Sequence, residues 1–159
     1  MENKILISVQ EEIKAPTFID NVEDFVLKAM DKLKFHNEEV SILFCNNEYI
    51  RELNNSYRQI DSATDVLSFE NDYVYEEDGV EWTAVGDIAI SVEMIGENAE
   101  YFKTTPNAEL KRLLVHGLLH LNGMDHGEEH IESGVEPECE MLVLQEKLLK
   151  ELDSEIVIK

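Results

Sequence analysis

One segment, TTPNAELKRLLVHGLLHLNG, carries the start and stop signals of a helix together with a broad apolar face. Thr105 can cap this helix, Pro106 suits its first position, and Gly123 can end it. At about 100° per residue, one face of the helix gathers Leu110, Leu113, Leu114, Gly117, Leu118 and Leu121. The fold must therefore bury this face against its other elements.

The rest of the chain mixes strand-like and helix-like patterns without strict alternation. Strands are predicted at Lys4–Gln10, 39–46, Thr64–Glu70 and, after a glycine turn, Gly86–Ser91. Helices are predicted at 16–35, 47–58 (capped by Asn46 or Asn47), 92–102, 106–122 and 136–152. The acidic stretch 71–82 is predicted to be a surface loop or a hairpin. This order predicts an α+β fold, with a small mixed sheet of about four strands covered by about five helices, in a single domain over residues 1–159.

The charge balance is strongly acidic. The 159 residues include 13 Lys and Arg against 35 Asp and Glu, which gives a net charge of −22. Such a charge argues against a broad electrostatic grip on nucleic acid, and we expect no DNA partner. It leaves open a locally basic groove, and it leaves room for binding cations.

Several features predict a cytoplasmic protein without a membrane partner. No apolar run approaches the roughly 18–20 residues that span a bilayer. The first residues, MENKILISVQEEIK, do not have the pattern of a secretory signal. Cys45 and Cys139 are the two cysteines, neither lies in a C-x-x-C motif, and both are expected to be reduced thiols.

Three of the five histidines lie close together in VHGLLHLNGMDH. His116 and His120 are one helical turn apart on the border of the apolar face, the spacing at which two imidazoles can bind one ion. Gly123 allows the chain to turn back and present His126 to the same ion. Three imidazoles leave a tetrahedral ion with one open position, as catalytic zinc sites require. The expected cofactor is one zinc ion, with nickel, cobalt and copper as alternatives.

Two residues that lie near these histidines in the sequence each allow two interpretations. His130 follows His126 by four residues and is either a fourth ligand or a surface residue. Asp125 either orients a ligating histidine or caps the turn.

The spacing H-x-x-x-H-x-x-G-x-x-H is that of the metzincin proteases, which have glutamate directly after the first histidine as general base. Here that position is Gly117, so peptide hydrolysis is disfavoured. A glycine on the buried face also has a packing explanation, because it lets another element approach closely.

Arg58 is the candidate for contact with substrate. It is predicted in the loop between a short helix and a strand, and a guanidinium makes forked hydrogen bonds to phosphate. The alternative is an ordinary solvated or ion-paired surface arginine.

The stretches LNNSYRQIDSATDVLSFE, GDIAIS and HGLLHLNGMDH, in this order and spacing, resemble the YbeY family of bacterial rRNA-maturation endoribonucleases. The likeness covers nearly the whole chain, and EMLVLQEKLL resembles the last helix of the family. Ala63 and Glu70 depart from it, since the family often has proline at both positions.

The resemblance implies a zincin-like α+β domain with a zinc ion on His116, His120 and His126. It implies metal-dependent hydrolysis of single-stranded RNA, with Arg58 as the functional arginine. It also implies roles in 16S rRNA 3′-end maturation and ribosome quality control, and so the ribosome or a ribosomal protein as partner.

Two other functions remain as alternatives. One is a metallopeptidase-like hydrolase that uses the same three histidines. The other is a ribosome assembly factor whose zinc is structural, which requires His130 or a cysteine to close the fourth position.

Overall fold

The computed structural model describes residues 3–121 and 140–158. Within them lie four strands, β1 (Asn3–Val9), β2 (Glu38–Cys45), β3 (Val66–Glu77) and β4 (Val80–Ser91). The helices there are α1 (Ile19–Lys32), α2 (Asn47–Arg58), α3 (Val92–Tyr101), α4 (Pro106–Leu121) and α5 (Glu140–Glu151).

The strands form one mixed sheet in the order β1-β2-β4-β3. β1 and β4 both pair with β2 in parallel, and β3 pairs with β4 in antiparallel fashion at one edge. Helix α1 connects the parallel strands β1 and β2, whereas α2 and β3 lie between β2 and β4 along the chain, and a tight turn joins the antiparallel pair β3 and β4. The predicted α+β fold, with a mixed four-stranded sheet and five helices, is confirmed.

The acidic stretch 71–82 is a hairpin rather than a loop. Asp78 and Gly79 form its turn, with φ angles of 52° and 79°, the positive values that two-residue hairpin turns require. β3 therefore runs on to Glu77, and β4 begins at Val80. The outer part of the hairpin is tied to β1, because Lys4 forms an ion pair with Glu77 at 2.9 Å and lies 4.1 Å from the ring centre of Trp82.

Gly86 lies inside β4, so the prediction that a glycine turn precedes this strand was wrong. The strand pairing shifts around Gly86, whose φ of 154° is one that side chains rarely adopt. A Cβ atom there would collide with the carbonyl oxygen of Phe69 and with the side chain of Leu121. The glycine is required because the neighbouring strand and the end of α4 both approach it closely.

The two faces of the sheet carry different layers. Ile88 and Ile90 of β4 face the main core, which contains buried residues of α1, α4 and α5. Ala89, between them, faces a smaller cluster that α2 completes with Ile50. No helix in the described ranges is both long and apolar enough to cross a membrane.

Helix α4 is buried on nearly every side, as expected for a helix at the centre of a fold. Its buried charged side chains all form hydrogen bonds with neighbouring groups. Glu109, only 1% exposed, accepts hydrogen bonds from Arg112 at 2.6 Å and from Asn98 at 3.0 Å. Arg112 also lies 3.4 Å from Asp65, which precedes β3. Lys111 donates to the carbonyl oxygens of residues 152, 153 and 155, just beyond α5.

Replacing Glu109 with glutamine should destabilise the protein by about 3 kcal/mol, because Arg112 would lose a buried partner while its charge stays buried. Urea unfolding measures this change. The matched control is Asp61→Asn, which removes a carboxylate from the exposed ion pair with Arg51 and should leave the unfolding midpoint unchanged. Equal effects of the two substitutions would contradict the prediction.

Candidate metal centre

His116 and His120 lie on α4 as the sequence predicts, one turn apart and both partly exposed. Their Nε2 atoms are 3.1 Å apart, and their ring centroids are 4.7 Å apart. Two zinc–nitrogen bonds of about 2.0–2.1 Å span about 3.3 Å at a tetrahedral angle. The two imidazoles therefore already have nearly the separation at which both could bind one ion.

The other predicted ligand, His126, lies outside the described residues, as do Gly123, Asp125 and His130. The described residues contain no group of three or more potential metal-binding side chains. The three-histidine site thus remains a prediction.

A hydrogen bond from α5 orients His116. Its Nδ1 atom lies 2.7 Å from Oε1 of Gln145, a fully buried residue. Sequence reasoning missed this residue, although a signal was present. Gln145 interrupts the buried stripe of α5 between Met141 and Leu148, and a glutamine in such a place needs a polar partner.

Gly117 packs directly against the sheet. A Cβ atom at this position would lie 2.8 Å from Cδ1 and 3.0 Å from Cγ2 of Ile88. The packing explanation for this glycine is therefore confirmed. A glutamate here, the general base of the proteases with the same histidine spacing, would collide with the sheet.

Arg58 is the last residue of α2, which agrees with the predicted helix 47–58 and not with a place in the following loop. Its Nη2 atom donates to the carbonyl oxygen of Ser68 at 2.8 Å, and its guanidinium lies 5.9 Å from the ring centre of Phe69. The ion pairs of the described residues do not include it; their cations are Lys4, Lys28, Lys32, Arg51 and Arg112.

Strand register places Arg58 on the β3 edge of the sheet. The hydrogen bond from Ser91 N to Asp65 O makes these two a hydrogen-bonded pair of the β3–β4 ladder. Hydrogen-bonded pairs alternate with non-bonded ones, so Ser68, opposite Ile88, directs its carbonyl away from β4. Among the described strands β3 lies at the edge, and Arg58 therefore binds the side of β3 that faces away from β4.

Helix α4 runs along the same edge strand. Its Arg112 contacts Asp65 before β3, and its Leu121 lies beside Gly86, which pairs with Glu70 farther along β3. The histidines lie between these two contacts on α4. Two of the predicted ligands, His116 and His120, and the predicted Arg58 thus belong to helices that border one strand, β3.

The fold and the site define an α+β protein in which a central helix carries paired imidazoles beside a mixed sheet. A model of one protein family, described as endoribonuclease YbeY, matches residues 5–153. The chain belongs to this family.

Relatives and a solved structure agree with this assignment. An endoribonuclease YbeY of Treponema denticola is 46% identical over 152 residues, covering 94% of this chain and 93% of its own. An endoribonuclease YbeY of Borreliella burgdorferi is 38% identical over 133 residues, covering 80% and 83%. The solution structure of TM1509 from Thermotoga maritima superposes with a TM-score of 0.60 at 29% identity, covering 93% of this chain and 88% of that one.

Replacing Gly117 with alanine should destabilise the protein by about 1–3 kcal/mol, because the new methyl group overlaps with Ile88. Adding Ile88→Val removes the atom nearest to that methyl group and should restore part of the loss. Urea unfolding of the two single variants and the double variant measures this coupling. Strictly additive effects would contradict the packing explanation.

Proposed function

We propose that this protein is a zinc-dependent endoribonuclease that cleaves single-stranded RNA, with the ion held by His116, His120 and His126. The observation that carries the proposal is the 3.1 Å separation of the Nε2 atoms of His116 and His120, in a chain whose relatives are named endoribonuclease. Nickel, cobalt or copper would suit the same imidazoles.

The residues have distinct roles in this reaction. The histidines hold the ion, and a zinc ion in such a site supplies Lewis-acid activation of water and positive charge for phosphate oxygens. Arg58 binds the phosphate of the RNA. One of its nitrogens is occupied by the Ser68 carbonyl, which leaves other donors of the fork to bind phosphate and stabilise the charge that develops there.

The substrate we propose is ribosomal RNA, in 16S rRNA 3′-end maturation and ribosome quality control in the cytoplasm. The net charge of −22 disfavours unaided binding of RNA. A ribosomal partner that brings the RNA to the site would offset this repulsion.

Two observations weigh against the alternative of a peptidase on the same histidines. Gly117 takes the position of the protease general base, and Ile88 fills the space that a side chain at this position would need. Family membership also points to relatives named for RNA cleavage.

Purified protein should contain about one zinc ion per chain, since three imidazoles and one open position make a complete catalytic site. A chelator should abolish cleavage of single-stranded RNA, and zinc should restore it. His120→Ala should lose both the metal and the activity. Cleavage that survives the chelator and the substitution would refute the metal mechanism.

Arg58→Ala should lower the rate of RNA cleavage about 100-fold or more, because it removes a charge that stabilises the transition state. Zinc content should not change, because Arg58 holds no metal. The matched control is Arg51→Ala on the same helix, whose guanidinium is bound to Asp61 at 2.7 Å. Equal cleavage by the two variants would show that Arg58 has no special role.

A further inference from the structure

We infer that Gln145 is a positioning residue that sets the tautomer of His116 and so makes its Nε2 atom available to the metal. This inference rests on the proposed function, because Gln145 would act on a histidine that binds the metal. Its evidence is the hydrogen bond between Gln145 on α5 and His116 on α4.

The first step is the identity of the bonded atoms. Nδ1 of His116 lies 2.7 Å from Oε1 of Gln145, and an amide oxygen can only accept a hydrogen bond. Nδ1 must therefore carry the proton. In a neutral imidazole the other nitrogen then has a lone pair, and this nitrogen is the Nε2 atom that faces His120.

The second step concerns the other end of the same amide. Nε2 of Gln145 is buried and has no hydrogen-bond partner among the described residues. Rotating the amide by half a turn would place this donor against His116 instead. Nδ1 would then be the acceptor, the proton would move to Nε2 of His116, and that nitrogen could no longer bind a metal.

The third step concerns the position of Gln145 in the fold. Its side chain is fully buried on α5, among residues that pack against the core. A buried amide has few alternative orientations, so it holds the imidazole ring in one place. Partners of this kind fix the ring orientation of metal-binding histidines and increase their basicity.

The sharpest variant is Gln145→Met, which keeps the size of the side chain but removes both polar atoms. It also removes the unpartnered buried donor, which offsets the loss of the hydrogen bond from His116, so stability in urea unfolding should stay close to that of the wild type. Zinc affinity should nevertheless fall about 10- to 100-fold. A residue with a purely structural role would not weaken the metal site while leaving stability intact.

The conservative variant is Gln145→Glu, which keeps an acceptor opposite Nδ1 of His116. Its zinc affinity should equal or exceed that of the wild type. Asn54→Leu is the control, because it removes another buried amide. Asn54 lies on α2 and donates to the Ser62 carbonyl oxygen at 3.0 Å. This control should lower stability and leave zinc affinity unchanged.

Nitrogen NMR of the metal-free wild type tests the tautomer without any substitution. The expected spectrum shows His116 protonated at Nδ1, and Gln145→Met should convert it to a mixture. Protonation of wild-type His116 at Nε2, or equal zinc affinities of wild type and Gln145→Met, would overturn the inference. If the wild type binds no zinc, the proposed metal centre fails, and the NMR result alone then decides the role of Gln145.

Discussion

The close approach of α4 to the sheet is the contact on which the rest of the molecule depends. It is possible because Gly117 presents no side chain to Ile88, and Gly86 presents none to Leu121. With these two contacts made, the leucine-rich face of α4 is buried and its orientation about its own axis is determined. His116 and His120 then lie at the border of that face, and both are partly exposed.

The buried polar groups of α4 attach it to its neighbours. Arg112 and Glu109 bind Asp65 and Asn98, which connects the helix to the start of β3 and to α3. Lys111 binds the carbonyl groups that follow α5. These contacts align α5 with α4, and this alignment allows Gln145 to reach His116. The hydrogen bond between Gln145 and His116 is thus a consequence of the contacts that Lys111 makes with the residues after α5.

Local patterns predicted much of this structure, because periodicity and capping act within a few residues. The pairing of His116 with His120 followed from helical spacing, and the mixed sheet followed from the order of elements. The full length of β3 did not, since its outer half has no buried face and is held by Lys4 from β1. Gln145 was also missed, because its partner is 29 residues away in the sequence. Gly86 was misread because a glycine suits a turn and a close backbone approach equally.

The acidity of the chain limits how it could bind a nucleic acid. A protein that binds nucleic acid through many phosphates needs many cations, and this chain has 13 lysines and arginines against 35 carboxylates. Five of those cations form ion pairs with carboxylates of the described residues, whereas Arg58 binds a carbonyl oxygen. Within residues 3–121 and 140–158, no carboxylate forms an ion pair with Arg58. For the proposed function, recognition of RNA would depend on a few contacts around β3 more than on the field of the whole protein.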